Sequence, residues 1–191
     1  MNIRKKINLR SIRKIRGVGL IEVLVALVVV SFGVLGMASL QLTGMKHSTG
    51  GFNRSKALLY AQSMATRIRL NPVAVSSFEY NAFDSDEISC SVLPAPYCQA
   101  RKGVNNTQSC TPVELATFDL YSVSCGDGGA NGDVEKGVQG TLPNGRLKVD
   151  CVVQPCKADS AYQVTVTWSE GRSRTNSDEM ISRRVQIRLR P

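Results

Sequence analysis

Histidine is nearly missing from this chain, with His47 the only one in 191 residues. A single imidazole beside a long apolar run makes a Ser-His-Asp or Cys-His catalytic arrangement unavailable. Cysteine is absent before residue 90, and none of the six cysteines forms a C-x-x-C pair. With one histidine to share among them, that spacing argues against a structural zinc site. Aromatic side chains are few, with one Trp, five Tyr and five Phe, so the exported core is expected to be modest. Acids are missing from residues 1–17, and residues 23–40 carry no charge of either sign. No enzyme activity, cofactor or small-molecule substrate is expected.

What is present begins with Arg4, Lys5, Lys6, Arg10, Arg13, Lys14 and Arg16, seven cations ahead of an apolar stretch. Such a bias keeps that end in the cytoplasm and sends the downstream chain across the membrane. The stretch runs from Val23 to Leu40 without a charge and continues through uncharged polar residues to Met45, long enough to cross a hydrocarbon layer as one helix. Glu22 lies inside its apolar edge, where an unpaired charge costs roughly 2.5–3.5 kcal/mol by insertion scales. Cleavage after Gly17 would free the amine of Val18 and place a cation near that carboxylate. In one helix the two are four residues apart; between staggered helices, the amine of one chain can neutralise Glu22 of the next and so set subunit registration. A conventional secretory signal, with Gly36-Met37-Ala38 as its cleavage site, has a shorter apolar core and no glutamate inside its start.

The basic leader, Gly17 before the cut, a hydrophobic first residue and Glu22 as the fifth residue of the mature chain resemble the class III signal of type IV prepilins and pseudopilins. The continuation Ser31-Phe32-Gly33-Val34-Leu35-Gly36-Met37-Ala38-Ser39-Leu40-Gln41 and Arg67-Ile68-Arg69-Leu70-Asn71-Pro72 resembles PilV-type minor pilins in particular. The resemblance implies cleavage after Gly17 by a prepilin peptidase, N-methylation at Val18 and assembly through Glu22. It implies an α+β, type IV pilin-like fold, in which a long N-terminal helix packs on a small antiparallel sheet. Implied partners are other minor pilins, the major pilin, prepilin peptidase and the bacterial inner membrane before display on a surface fibre; no direct nucleic-acid contact is expected. A type II secretion pseudopilin and a pilus-displayed adhesin using residues 90–156 stand as alternatives.

Net charge is +9, but seven of the 24 Lys and Arg and none of the 15 Asp and Glu lie in residues 1–17, so the remainder carries +2. The basicity therefore belongs to the leader and not to a nucleic-acid surface. The organisation expected is a leader over 1–17, a membrane and assembly helix over 18–45, an amphipathic continuation over 46–72 and a globular domain over 73–191. Cys90, Cys98, Cys110, Cys125, Cys151 and Cys156 all fall in the exported part and read as up to three disulfides. Fifteen pairings are possible, and the simplest is short-range closure: Cys90 with Cys98, Cys110 with Cys125 and Cys151 with Cys156.

After Lys46 the helix is expected to reach Leu70, with Ala57, Ala61, Met64, Ala65 and Ile68 as one apolar stripe. Asn71-Pro72 ends it. Gly33, Gly36, Gly44 and Gly50-Gly51 are places for bends or melting. Residues 73–110 show little periodicity. Thr111-Pro112-Val113-Glu114 has the form of a capping box and predicts a helix to about Tyr121, with Val113, Ala116 and Leu120 inward. Asp127, Asn131, Gly132 and Asp133 imitate part of a calcium loop, but Gly129 and Val138 stand where ligands are needed, so a glycine-rich loop is expected. Alternation predicts strands through Leu147–Val153, Tyr162–Trp168 and Val185–Leu189, forming a three-stranded antiparallel sheet over the helix stripe. The arginines of the last strand read as a guarded edge or as a partner-binding one.

Overall fold

The computed structural model describes residues 17–99, 109–126, 136–157, 159–171 and 180–191. The chain divides into two compact units, one ending at His47 and the other Ser48–Pro191. Helix α1 (Leu20–Leu70) contributes to both, and Gly33, Gly36, Gly44, Gly50 and Gly51 are all helical. The melting expected there is not seen, since the helix runs unbroken through all five glycines, each costing about 1 kcal/mol relative to Ala. The start is later than Val18, because Gly17, Val18 and Gly19 precede the first turn.

In the second unit, Ala57, Ala61, Met64, Ala65 and Ile68 are buried, and Asn53 joins them. Three alanines on that face let the α1 backbone lie close to what covers it. The helix stops at Asn71-Pro72 as expected, but the same dipeptide starts another, α2 (Pro72–Ser76). Proline sits at its first position, and the Asn71 side chain accepts from the Ala74 backbone N–H at 3.3 Å. The region with little periodicity therefore holds more than a connection. After α2 come the short strand β1 (Phe83–Asp84) and a single 3-10 turn at Ser85–Glu87.

Helix α3 (Pro112–Cys125) begins on a complete capping box. The Glu114 carboxylate accepts from the Thr111 N–H at 2.7 Å, and Thr111 Oγ1 accepts from the Glu114 N–H at 3.3 Å. These bonds hold the Glu114 carboxyl below its usual range. The helix passes Tyr121 and ends at Cys125, with Gly126 in the left-handed region at φ 85°. Ala116 and Leu120 face inward as expected, whereas Val113 is exposed on the first turn. A short helix, α4 (Val138–Thr141), was not legible. It packs so closely that a Cβ on Gly137 would run into the backbone of Ser124 and Gly126.

The sheet has four strands in the order β1-β2-β3-β4, all antiparallel, with β2 Arg146–Cys151, β3 Tyr162–Gly171 and β4 Met180–Leu189. One face pairs Leu147 with Val166, Val149 with Val164, Val166 with Val185 and Val164 with Ile187; this face meets α1 in the core. The opposite face carries Asp84, Arg146, Lys148, Thr165, Gln186 and Arg188. Val153, expected inward, is exposed, since β2 ends at Cys151.

Three disulfides join all six cysteines. Cys151 pairs with Cys156, but Cys90 pairs with Cys125 and Cys98 with Cys110, correcting the two other short-range closures. The reason is α3 itself. A helix of this length separates the positions at its two ends by about 20 Å, so Cys110 cannot reach Cys125. Each end instead captures a cysteine from the preceding segment. Tyr97 meets Phe118 edge-on at 5.0 Å, and the Tyr121 hydroxyl donates to the Cys90 carbonyl at 3.1 Å, so that segment lies along the helix. The calcium-like loop and the loop between β3 and β4 fall outside the described residues.

Candidate assembly site

Gly17 and Val18 precede the helix start, and Glu22 lies in its first turn. The Gly19 carbonyl accepts from the N–H of Glu22 at 3.0 Å and of Val23 at 3.3 Å, closing the first turn. Glu22 lies within that turn, where unpaired N–H groups and the helix dipole favour an anion. Among the described residues no cation lies at ion-pair distance from it. Val18 stands just outside the helix and is exposed.

Behind Glu22 the helix is apolar on every side. The most apolar 18-residue window has a mean hydropathy of 2.6, and none of it is buried within the protein. A water-soluble helix of that composition would be hidden in a core; this one needs lipid or other helices as its surroundings. Two of its hydroxyls are spent internally, with Ser31 donating to the Leu27 carbonyl at 2.7 Å and Thr43 to the Ser39 carbonyl at 3.0 Å. Glu22 is the acid at the start of this apolar stretch.

The Ser48–Pro191 unit holds two polar clusters that the sequence did not reveal. In one, Asp119 accepts from Arg67 at 2.6 Å and from the Tyr80 hydroxyl at 2.9 Å. Asn71 donates to the Tyr80 oxygen at 3.3 Å and to the Pro112 carbonyl at 2.7 Å. Burial first, and the Asp119 charge second, push the Tyr80 phenol well above its usual range. These bonds fasten α1, α2 and α3 to one another. In the other, Asp84 bonds to Arg146 and lies 3.1 Å from Lys148 Nζ, while Asp86 lies 3.0 Å from Arg146. The bond from Arg146 holds the Asp84 carboxyl well below the usual carboxylate range. Neither cluster had a local signature, since Asp119 is 52 residues from Arg67 and Asp84 is 62 from Arg146. The one available hint was an acid at a helical core position, 119 lying next to Leu120.

Comparison with known families matches residues 12–38 to the prokaryotic N-terminal methylation motif and residues 39–121 to the Tt1218-like family, described as Type IV pilin Tt1218. No curated protein and no solved structure matches the chain. The first match covers Gly17, Val18 and Glu22; the second covers the rest of α1, α2, β1 and most of α3. That family is structural, and the prepilin signal goes with processing by prepilin peptidase, membrane anchoring and assembly with other pilins. A methylation motif leading without a gap into a pilin region, on a type IV pilin-like α+β fold, supports a type IV pilin.

Proposed function

We propose that this chain is a PilV-type minor pilin that joins other pilins in starting and building a type IV pilus. It enters the bacterial inner membrane with its leader in the cytoplasm. Prepilin peptidase cuts after Gly17, and the new amine of Val18 is methylated while keeping its charge. Residues 18–45 then pack against the helices of other subunits, and the exported unit becomes part of the fibre surface. The reading is carried by Glu22, a carboxylate in the first turn of an apolar helix that none of the described residues covers.

A cation beside the first turn offsets the cost of keeping the carboxylate there, and the processed N-terminus of a neighbour supplies one at a fixed stagger. Glu22→Ala should therefore insert and be cleaved normally but co-purify poorly with partner pilins in detergent. Normal co-assembly of that variant overturns the reading. The displayed-adhesin reading has its own support, because two disulfides hold the segment from Cys90 to Cys98 against α3. Deleting that region would then leave fibre formation intact and abolish attachment.

A further inference from the structure

The far edge of the sheet is unfinished in three independent ways. Strand β4 is paired to β3 along all ten of its residues, but among the described residues no strand pairs with its other edge. On its core face Ile181, Val185 and Ile187 are only half-buried, so the apolar layer stops short of closing there. On its outer face Arg184 and Arg188, followed by Arg190 just past the strand, are exposed, and β4 contains no acid. Arg188 donates to Gln163 at 3.0 Å and Gln186 to Thr165 at 3.3 Å, bonds that orient the side chains without neutralising a charge. Among the described residues, the acid nearest by register on that face, Asp150, belongs to β2, two strands away. Glu170 of β3 lies in the other row of side chains, where it accepts from Arg183 at 3.2 Å and from the Trp168 indole at 2.9 Å.

We propose that β4 is a docking edge for an extended strand from a partner protein, one that alternates apolar with acidic side chains. Backbone pairing along β4 would satisfy the open row of N–H and C=O groups. The partner's apolar side chains would cover Val185 and Ile187, and its carboxylates would lie across from Arg184 and Arg188. Arginine serves to discourage indiscriminate pairing, but guarding alone gives no reason for the half-covered apolar row behind it. A second copy of this strand is a poor occupant. It contains no acid, so in any register it leaves Arg184 and Arg188 without a counter-charge, and antiparallel registers centred on Arg184, Gln186 or Ile187 also set arginine against arginine.

The test uses the full chain in detergent and two labelled peptides of roughly eight residues, one alternating valine with glutamate and the other valine with lysine. The glutamate peptide should bind and slow amide exchange within 181–189, and the lysine peptide should bind about tenfold more weakly or worse. The variant Arg184→Glu/Arg188→Glu should reverse that preference. Arg184→Gln/Arg188→Gln, a gentler change, should remove it. Absence of β4 protection with the glutamate peptide overturns the proposal, as does an unchanged preference in both variants. Equal competition by a polyphosphate without β4 protection also overturns it, by showing a charged face that pairs no strand. Glu22→Ala should bind the glutamate peptide as the parent does, so this outcome is separate from that of the assembly reading.

Discussion

Asp119 serves two donors at once, and removing it strands both. Asp119→Ala leaves the Tyr80 hydroxyl buried without its acceptor and Arg67 without its counter-charge. Because Arg67 is partly exposed and can recover water, the expected cost is about 2–4 kcal/mol. Tyr80→Phe should cost about 1 kcal/mol, and both values would appear as lower denaturant midpoints at unchanged slope. Asp84 gives a pH effect of defined sign. Its folded pKa is depressed, chiefly by the bond from Arg146, so its stabilisation is present above the ordinary carboxylate range of about 4 and fades as pH falls below it. Thermal midpoints measured from pH 6 downward should therefore fall less steeply in Asp84→Asn than in the parent. A parallel acid limb in the variant would contradict this assignment. Glu22, unlike these two, has no described partner to lose, so its substitution should spare the fold.

At the scale of elements, the stripe on α1, most of β3 and the second half of β4 were legible because each is a periodic pattern longer than its own noise, whereas Met180–Arg184 of β4 was not expected as strand. Ala57, Ala61, Met64, Ala65 and Ile68 repeat at helical spacing, and Tyr162, Val164, Val166 and Trp168 alternate at strand spacing. Helix α3 was legible from its cap, since Thr111, Pro112 and Glu114 act within one turn. Strand β1 and helix α4 were not, being two and four residues long, too short for any period to show. Disulfide partners followed the elements and not the shortest loops. In the loop-closure account the Cys90–Cys125 bridge, with a separation of 35, contributes about 4 kcal/mol. The Cys98–Cys110 bridge, separation 12, contributes about 3, and Cys151–Cys156, separation 5, about 2. Paired Cys→Ala variants melted without reductant should follow that order, with the Cys90/Cys125 pair losing most.

For the whole molecule, charge is unevenly divided along the chain. The full sequence carries +9, and the part from Val18 onward carries +2. Under the proposed function the mature chain should have a mass that begins at Val18, increased by one methyl group, and should stay in the membrane fraction until assembled. A mass retaining the first seventeen residues, or one beginning at Ser39, would contradict it. The two units divide the work in this reading: residues up to His47 supply the hold on lipid and on neighbouring helices, while Ser48–Pro191 supplies a folded surface.

The sequence by itself determined the apolar span, the placement of Glu22 within its edge, the α1 stripe, the capping box and the strand alternation. All of these are set by residues within a turn or two of one another, where spacing in the chain equals spacing in the structure. Only the tertiary structure decided that Cys90 meets Cys125, that Asp119 joins Arg67 to Tyr80, that Asp84 ties β1 to β2 and that β4 is left at an edge. Those are distances between residues far apart in sequence, and they come from how whole elements pack, because burial favours many arrangements alike until specific side chains must fit.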